Sequence, residues 1–514
     1  MSDETRKDTL RIGLARSAAH WAKYHPKKPA IVTDGRDVTY GDLEALACRY
    51  HALAEERGAT FGQRVGLQLF DRAHFLAALT GVIRTGATAV IIQPDWPDGY
   101  ISAAIEDADC MLVFRDKAPL AKESPFEAFG IEQIISSDNL NIKVMPKTRH
   151  HSDEWGILYS SGTTGRPKGI VRTDWAMLSE SLSWIFEMPI TRDTVFYNGR
   201  PFYYTGGLVL GVATLLVGGT LISPRSHSPE ALDQAASAMS LDYAFLSPYQ
   251  IEEIVVQARS GRKFGVPSTI LTMGTYIEAH LKQEAIELLG CDLMESWGNT
   301  EGLGTLSERS DTRFRPNSIG RAFVGDVMTV VDKNGVELGP NQAGQLAGAS
   351  DTNLLRYERR EDDDRCVRSG DLIISEDVGY YDADGYFYLL GRTADFFTKN
   401  GEEINLRDIE RALMRFDGVS AACAIMVESA SDDPLLIMTV VELRSASRGV
   451  PAAVIKEAVN ANLTASARIN EMIIVERLER NAGGKIIVAK VRDLIRDIFH
   501  QREDTKVATI AGKI

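Results

Sequence analysis

The run from Tyr159 to Gly169, Tyr-Ser-Ser-Gly-Thr-Thr-Gly-Arg-Pro-Lys-Gly, gathers hydroxyls, glycines and cations into one short stretch. Ser160, Ser161, Thr163 and Thr164 offer hydroxyl donors. Gly162 and Gly165 let the backbone approach an anion closely, and Arg166 and Lys168 bring positive charge. That chemistry suits a polyphosphate, although a Ser/Thr/Gly loop also serves as a plain flexible connection. It is not the phosphate loop of the common NTPases, because the second glycine of their Gly-x4-Gly-Lys-Ser/Thr pattern would fall on Pro167. The preceding Trp155-Gly-Ile-Leu-Tyr159 reads as a short buried strand, which puts the glycines at a strand-to-loop exit.

Further along stand Glu295-Ser-Trp-Gly-Asn-Thr-Glu301, Arg368-Ser-Gly-Asp371, Gly391-Arg-Thr-Ala-Asp395, Lys399-Asn-Gly-Glu-Glu-Ile404 and Asn481-Ala-Gly-Gly-Lys485. Taken singly, Asp371 reads as a turn residue and Lys485 as a solvated surface charge. Taken together and in this order, the segments resemble the signatures of the adenylate-forming superfamily. That superfamily joins acyl- and aryl-CoA synthetases, peptide-synthetase adenylation domains and firefly-type luciferases. The fainter Val38-Thr-Tyr-Gly-Asp-Leu43 and Pro94-Asp-Trp-Pro97 extend the likeness over almost the whole chain.

The resemblance implies roles. Ser160 through Gly165 and Lys168 would cradle the β- and γ-phosphates of ATP. Trp297 and Gly298 would lie by the adenine and the acyl group, Thr300 would meet phosphate oxygens, and Glu301 would bind Mg2+. A carboxylate fits that last role, because Mg2+ prefers hard oxygen ligands shared with substrate phosphates. Asp371 would hold the ribose hydroxyls and Arg392 would add positive charge. Asp395 would be the hinge and Lys485 the catalytic lysine that spans carboxylate and α-phosphate. Gly401 matches a glycine of the pantetheine tunnel, and reads equally as a turn glycine before a strand.

The implied reaction has two halves. A carboxylate attacks the α-phosphorus of ATP and releases pyrophosphate, then a thiol takes the acyl group from the adenylate and expels AMP. Such transfers need charge neutralisation and alignment more than an acid or base. The implied thiol is CoA, or the phosphopantetheine arm of a carrier protein acting in trans; an oxygenase of the luciferase kind is a further alternative. Tyr204, in Pro201-Phe-Tyr-Tyr-Thr-Gly-Gly-Leu208, stands where a gating histidine is common. No Asp stands nearby to pair with a substrate ammonium, which favours an acid without an α-amino group. Gly274, Thr275 and Tyr276 stand where the resemblance places residues flanking the adenine and acyl pocket, and Thr275 and Tyr276 are bulkier than the small residues usual there, which predicts a shortened or reshaped acyl tunnel.

Composition narrows the partners. A net charge of −14 argues against nucleic acid and anionic membranes, so any anionic ligand needs local cations. The 5 cysteines are scattered without Cys-x-x-Cys spacing, which points away from a disulfide framework or zinc site and towards a reducing cytoplasm. The first residues are polar and lack the apolar core of a signal peptide. Phe202 to Pro224 contains no charge and is rich in Leu, Val and Gly. Gly218-Gly219 interrupts it after about a dozen residues, short of the roughly 20 a membrane helix needs. A buried helix followed by a strand at Thr220–Ile222 is expected.

The elements that must position these groups alternate. Val65–Leu69 and Ala89–Ile92 read as strands around a helix over 71–84, and Ala244–Leu246, Thr269–Leu271 and Asp292–Met294 continue beside helices over 248–259 and 277–289. That alternation implies crossover connections and mostly parallel sheets. Past Ile319 strands shorten, with hairpin turns at Asp332–Gly335 and Asp382–Gly385. Beyond the hinge, a helix over 406–416, strands at 422–427 and 435–441, a helix over 452–463 and a strand at 471–475 form a βαβ-like unit. The expected fold is α/β. A large N-terminal domain, 1–391, of mostly parallel sheets flanked by helices carries a small β-barrel-like subdomain, and a small mobile α+β C-terminal lid, 392–514, follows.

Overall fold

The computed structural model describes residues 9–10, 12–117, 127–136, 146–160, 168–275, 277–359, 367–428, 435–444, 447–481, 484–501 and 508–509. The chain divides into two compact units: Met1–Met328 with Ala347–Ile374 and Gly385–Phe387, and Thr329–Leu346 with Ser375–Asp384 and Tyr388–Ile514. The second unit thus takes in segments that precede Gly391 in sequence.

The first unit holds two large sheets. One has seven strands in the order Arg356–Tyr357, Lys168–Thr173, Glu154–Ser160, Thr88–Ile91, Arg64–Gln68, Leu112–Arg115 and Glu127–Gly130. The other has nine, in the order Arg321–Ala322, Gly304–Leu306, Asp292–Gly298, Thr269–Met273, Tyr243–Leu246, Val195–Asn198, Thr220–Ile222, Pro29–Thr33 and Arg36–Thr39. The central strands pair in parallel, as the strand–helix alternation demands.

Local signals explain where helices begin and end. Arg72–Thr85 starts at Asp71, whose carboxylate accepts the Ala73 and His74 amides, and stops at Gly86 in the left-handed conformation. Every residue of that helix is buried, so it packs on all sides. Pro248–Arg259 begins with a Ser247–Gln250 capping box and a proline in its first turn. The apolar run is the buried helix Thr205–Leu216 followed by the strand Thr220–Ile222. Among the described residues, no helix is long and apolar enough to cross a membrane.

In the second unit, Leu435–Leu443, the helix Ala452–Asn460 and the parallel strand Glu471–Val475 form a βαβ unit. Val419–Glu428 pairs antiparallel with Leu435–Leu443. Its alternate residues bury on opposite faces: Ala424 and Met426 pack with Ile409, Leu413 and Ile455, while Ile425 and Val427 pack with Val491 and Ile495.

Candidate active site

The strand Glu154–Ser160 runs out towards residues 161–167, and the chain returns along Lys168–Thr173 as its antiparallel partner, with Ser160 opposite Lys168 and Tyr159 opposite Gly169. The strand exit at Ser160 that the sequence indicates is thus paired with the strand that follows the loop in sequence. Ser161, Gly162, Thr163, Thr164 and Gly165 lie outside the described residues, as does Tyr276; Ser160 is described as the last strand residue.

Lys168 stands at the hairpin's start, its ammonium 5.6 Å from the centre of the Tyr357 ring. Tyr357 lies in the edge strand beside it, opposite Ile170, and donates its hydroxyl to Glu301 Oε1 at 2.8 Å. One aromatic side chain thus joins the hairpin of Glu154–Ser160 and Lys168–Thr173 to the acidic residue of the Trp297–Glu301 segment. Arg172, buried on the same hairpin, donates to the Thr300 carbonyl at 3.2 Å and to Glu180 at 2.7 Å. The Thr205 and Thr300 hydroxyls meet at 3.4 Å, which ties the start of the helix Thr205–Leu216 to the same turn.

The turn itself is fixed by backbone demands. The Glu301 carbonyl accepts the Leu354 amide at 2.7 Å, and the Asn299 side chain accepts the Leu303 amide at 2.9 Å. Gly302 has φ +104°, and a Cβ there would fall 2.1 Å from the Thr352 carbonyl oxygen. Gly302→Ala must therefore displace Glu301 or Thr352. Displacements of about 1 Å cost catalysis about 100-fold, and a fall of that size in kcat/KM for ATP is expected in pyrophosphate-release assays.

Trp297 is buried in the strand Asp292–Gly298, whereas Gly298 is exposed at its end. Behind them Glu295 is buried against Lys282 of the helix Ala279–Leu289. Gly274 follows the strand Thr269–Met273 with φ +103°, and Thr275 beside it is exposed. Asp371 is exposed, just past Gly370 at φ +60°, on the connection between Arg368–Ser369 and Leu372–Tyr381. Arg368 donates to the carbonyls of Leu354 and Leu355 at 3.0 and 3.1 Å, which anchors the Asp371 hairpin to the segment that holds Glu301.

In the second unit, Lys485 is half-buried. Its amide donates to the Asn481 side chain at 3.0 Å, and its carbonyl accepts the Asn481 amide at 2.9 Å. Asn481 thus braces the lysine through both its side chain and its amide. Burial and the cations Arg392 and Arg407 lower the Lys485 ammonium to about 8, against Asp377 and Asp395. Arg392 pairs with Asp377 at 3.4 Å. Asp395 accepts the Arg392 amide at 2.8 Å and pairs with Arg407 at 3.1 Å, and Arg407 also pairs with Glu410. Gly401 is exposed, at φ +78° next to Asn400 at φ +55°, in the two-residue turn between Phe396–Lys399 and Glu402–Asn405. That turn needs left-handed backbone at both positions, which accounts for the glycine by itself.

A family model described as AMP-binding enzyme matches residues 18–357. The chain belongs to the AMP-binding enzyme family. Relatives of this AMP-binding enzyme include a fatty acid–[acyl-carrier-protein] ligase, ScoC, of Streptomyces coeruleorubidus, 24% identical over 80% of this chain and 83% of its own length. A 3-hydroxybenzoate–CoA ligase of Aromatoleum sp. (strain CIB) is 24% identical over 91% of this chain and 94% of its own. The ATP-bound crystal structure of MatB from Rhodopseudomonas palustris shares the fold, with a TM-score of 0.84 at 22% identity over 94% of this chain and 99% of that one.

The first unit of this AMP-binding enzyme brings together Lys168, Thr300 and Glu301, with Asp371 tethered through Arg368. The second unit groups Lys485, Arg392 and Asp395. Tyr357, Arg172 and Lys282 are the residues sequence reasoning missed. None sits in a motif with a chemical signature of its own, and each acts on a partner that the chain brings close only by folding.

Proposed function

We infer that this AMP-binding enzyme activates a carboxylic acid with ATP to an acyl-adenylate, releases pyrophosphate, and passes the acyl group to a thiol with release of AMP. In chemical terms it is an AMP-forming acid–thiol ligase. The observation that carries the reading is the junction at Tyr357, which faces Lys168 on one side and hydrogen-bonds Glu301 on the other. A cation for phosphate oxygens and a carboxylate for a metal ion are thereby held against one rigid strand.

In this mechanism Lys168 binds the departing phosphates, Thr300 donates to their oxygens, and Asp371 accepts from the ribose hydroxyls. Among the described residues no group of three or more His, Cys, Asp or Glu is placed to hold a metal. Glu301 would therefore share Mg2+ with the substrate's phosphate oxygens, a donor set that suits this hard cation. The metal supplies neutralisation of phosphate charge. Lys485, on the second unit, brings the ammonium that bridges the carboxylate and the α-phosphate, with Asp395 as the hinge.

CoA is the proposed acceptor, supported by the likeness to a CoA ligase. The likeness to an acyl-carrier-protein ligase supports a carrier's phosphopantetheine as the second reading. A cytoplasmic setting is proposed from the scattered cysteines of the sequence. The deciding experiment measures acid-dependent pyrophosphate release across short, aromatic, medium-chain and amino acids, with and without CoA. Pyrophosphate release that becomes AMP-forming turnover on adding CoA is the expected result. Pyrophosphate release with no CoA effect would move the acceptor to a carrier protein, and no release with any acid would refute the adenylation reading.

A further inference from the structure

Arg172 is fully buried, 0% exposed, in the strand Lys168–Thr173 that begins on Lys168. Apolar side chains are the ordinary occupants of such a position, and a buried ion pair is weak evidence of a role in stability. The strand pairing makes room for the guanidinium. Arg172 stands opposite Gly156, which has no side chain, and the register of the ladder shifts between Arg172 and Thr173. Irregularities of this kind change the local twist and re-aim the side chain beside them.

The guanidinium divides its donors between two acceptors. Nη2 donates to Glu180 Oε2 at 2.7 Å, on the helix Asp174–Glu187, and Nη1 donates to the Thr300 carbonyl at 3.2 Å. Glu180 answers the charge. A neutral carbonyl does not, so the second contact serves the turn at Thr300. The donors of a guanidinium stand in a rigid plane, and once Glu180 holds one branch the direction of the other is set. A lysine ammonium is a point charge that meets Glu180 without fixing a second direction. The Arg172 Nε is buried and has no hydrogen-bond partner among the described residues, a cost that the ion pair by itself does not explain.

Three consecutive carbonyls of the turn are taken from outside it. Thr300 accepts from Arg172, Glu301 from the Leu354 amide at 2.7 Å, and Gly302 from the Thr352 hydroxyl. The Ser350 hydroxyl lies 2.8 Å from that of Thr352 and braces it. Thr352 and Leu354 belong to one segment, whereas Arg172 brings its hold from the strand of Lys168. A peptide unit is planar, so fixing the Thr300 carbonyl also fixes the Glu301 amide and constrains the Cα atoms on either side. The side chains on those two Cα atoms are the Thr300 hydroxyl and the Glu301 carboxylate.

We propose that Arg172 is a positioning residue for acyl-adenylate formation. Through the Thr300 carbonyl it fixes the peptide between Thr300 and Glu301, and with it the hydroxyl and the carboxylate that serve the phosphates and their Mg2+. The inference rests on the adenylation reading above. Buried on its strand, Arg172 acts through the turn and not on ATP itself. It also makes one body of that turn and the strand that starts at Lys168, so that cation, hydroxyl and carboxylate keep one spacing.

Two variants separate this role from a purely structural one. Arg172→Lys keeps a charge beside Glu180 but gives up the planar fork. Arg172→Met combined with Glu180→Met removes both charges and strands neither. Each should lower kcat/KM for ATP in pyrophosphate-release assays by about 100-fold, the scale of a displacement of about 1 Å. Thiolysis of a pre-formed acyl-adenylate should fall by less than about 10-fold, because the departing phosphates and their metal take no part in it.

A binding readout needs no turnover. Without any acid, ATP with Mg2+ should raise the wild-type Tm more than ATP with EDTA does, and both variants should lose at least about half of that Mg2+-dependent increment. A merely structural arginine would lower the Tm of the free protein while leaving the increment and the ratio of the two half-reactions as they are. Wild-type pyrophosphate release in both variants, or equal losses in the two half-reactions with the increment intact, would overturn the inference and leave adenylation standing. No pyrophosphate release by the wild-type protein with any acid would overturn the adenylation reading, and the Tm increment then decides on Arg172 by itself.

Discussion

Lys485→Ala is expected to slow acyl-adenylate formation by about 1,000-fold, the scale on which a single group stabilising transition-state charge is felt. Thiolysis of a pre-formed acyl-adenylate should change by less than about 10-fold, because the α-phosphorus is no longer being attacked in that step. Single-turnover assays of each half-reaction make the comparison, and equal losses in both would remove Lys485 from its proposed role. The ammonium environment adds a pH signature. Its pKa is lowered to about 8 by burial and by Arg392 and Arg407, so it is charged below that pH and neutral above it. Adenylation should therefore fall as pH rises through about 8, while thiolysis does not follow the same limb. Arg392→Ala removes one of the two cations and should move that limb to higher pH.

The second large effect concerns stability. Lys282 is 2% exposed and Glu295 5%, and the two pair across a helix and the strand that carries Trp297. Breaking a buried pair from one side strands the other charge, and Lys282→Met should destabilise the first unit by about 3–5 kcal/mol. Lys282→Met combined with Glu295→Met should recover most of that loss, since an apolar pair replaces both charges. Burial holds the Glu295 carboxyl above its ordinary value even with Lys282 beside it. Without the lysine it rises further, so the folded single variant takes up a proton that the unfolded chain holds only near pH 4 and below. The penalty should thus be small at about pH 4.5 and grow towards pH 8. Thermal melts of the three variants across that range provide the measurement. A double variant no more stable than the single one would show that the strand depends on the pair itself.

Much of the architecture was legible because its signals are local. The helix Pro248–Arg259 matches its sequence expectation at both ends, for Ser247, Pro248 and Gln250 specify its start within four residues. The strand Glu471–Val475 and the buried helix within Phe202–Pro224 were equally readable from length and apolar pattern. The motifs for Lys168, Thr300, Glu301, Asp371 and Lys485 were legible because each needs particular residue types within a few positions. The resemblance implied by their order agrees with the match to the AMP-binding enzyme family.

The rest depended on neighbours distant in the chain. The loop's glycines announced a strand exit, but only folding pairs Ser160 with Lys168 on neighbouring antiparallel strands. Asn481 stood in the sequence only as the start of the Lys485 motif, and folding makes its side chain the acceptor of the Lys485 amide. By itself the sequence determined the alternating elements, the caps, the turn glycines and the set of groups available for ATP chemistry, since backbone preferences act over a few residues. Only the tertiary structure decided that Tyr357 joins Lys168 to Glu301 and that Lys282 faces Glu295. Those relations depend on distance in space and on burial, and electrostatic interactions gain their strength where water is excluded.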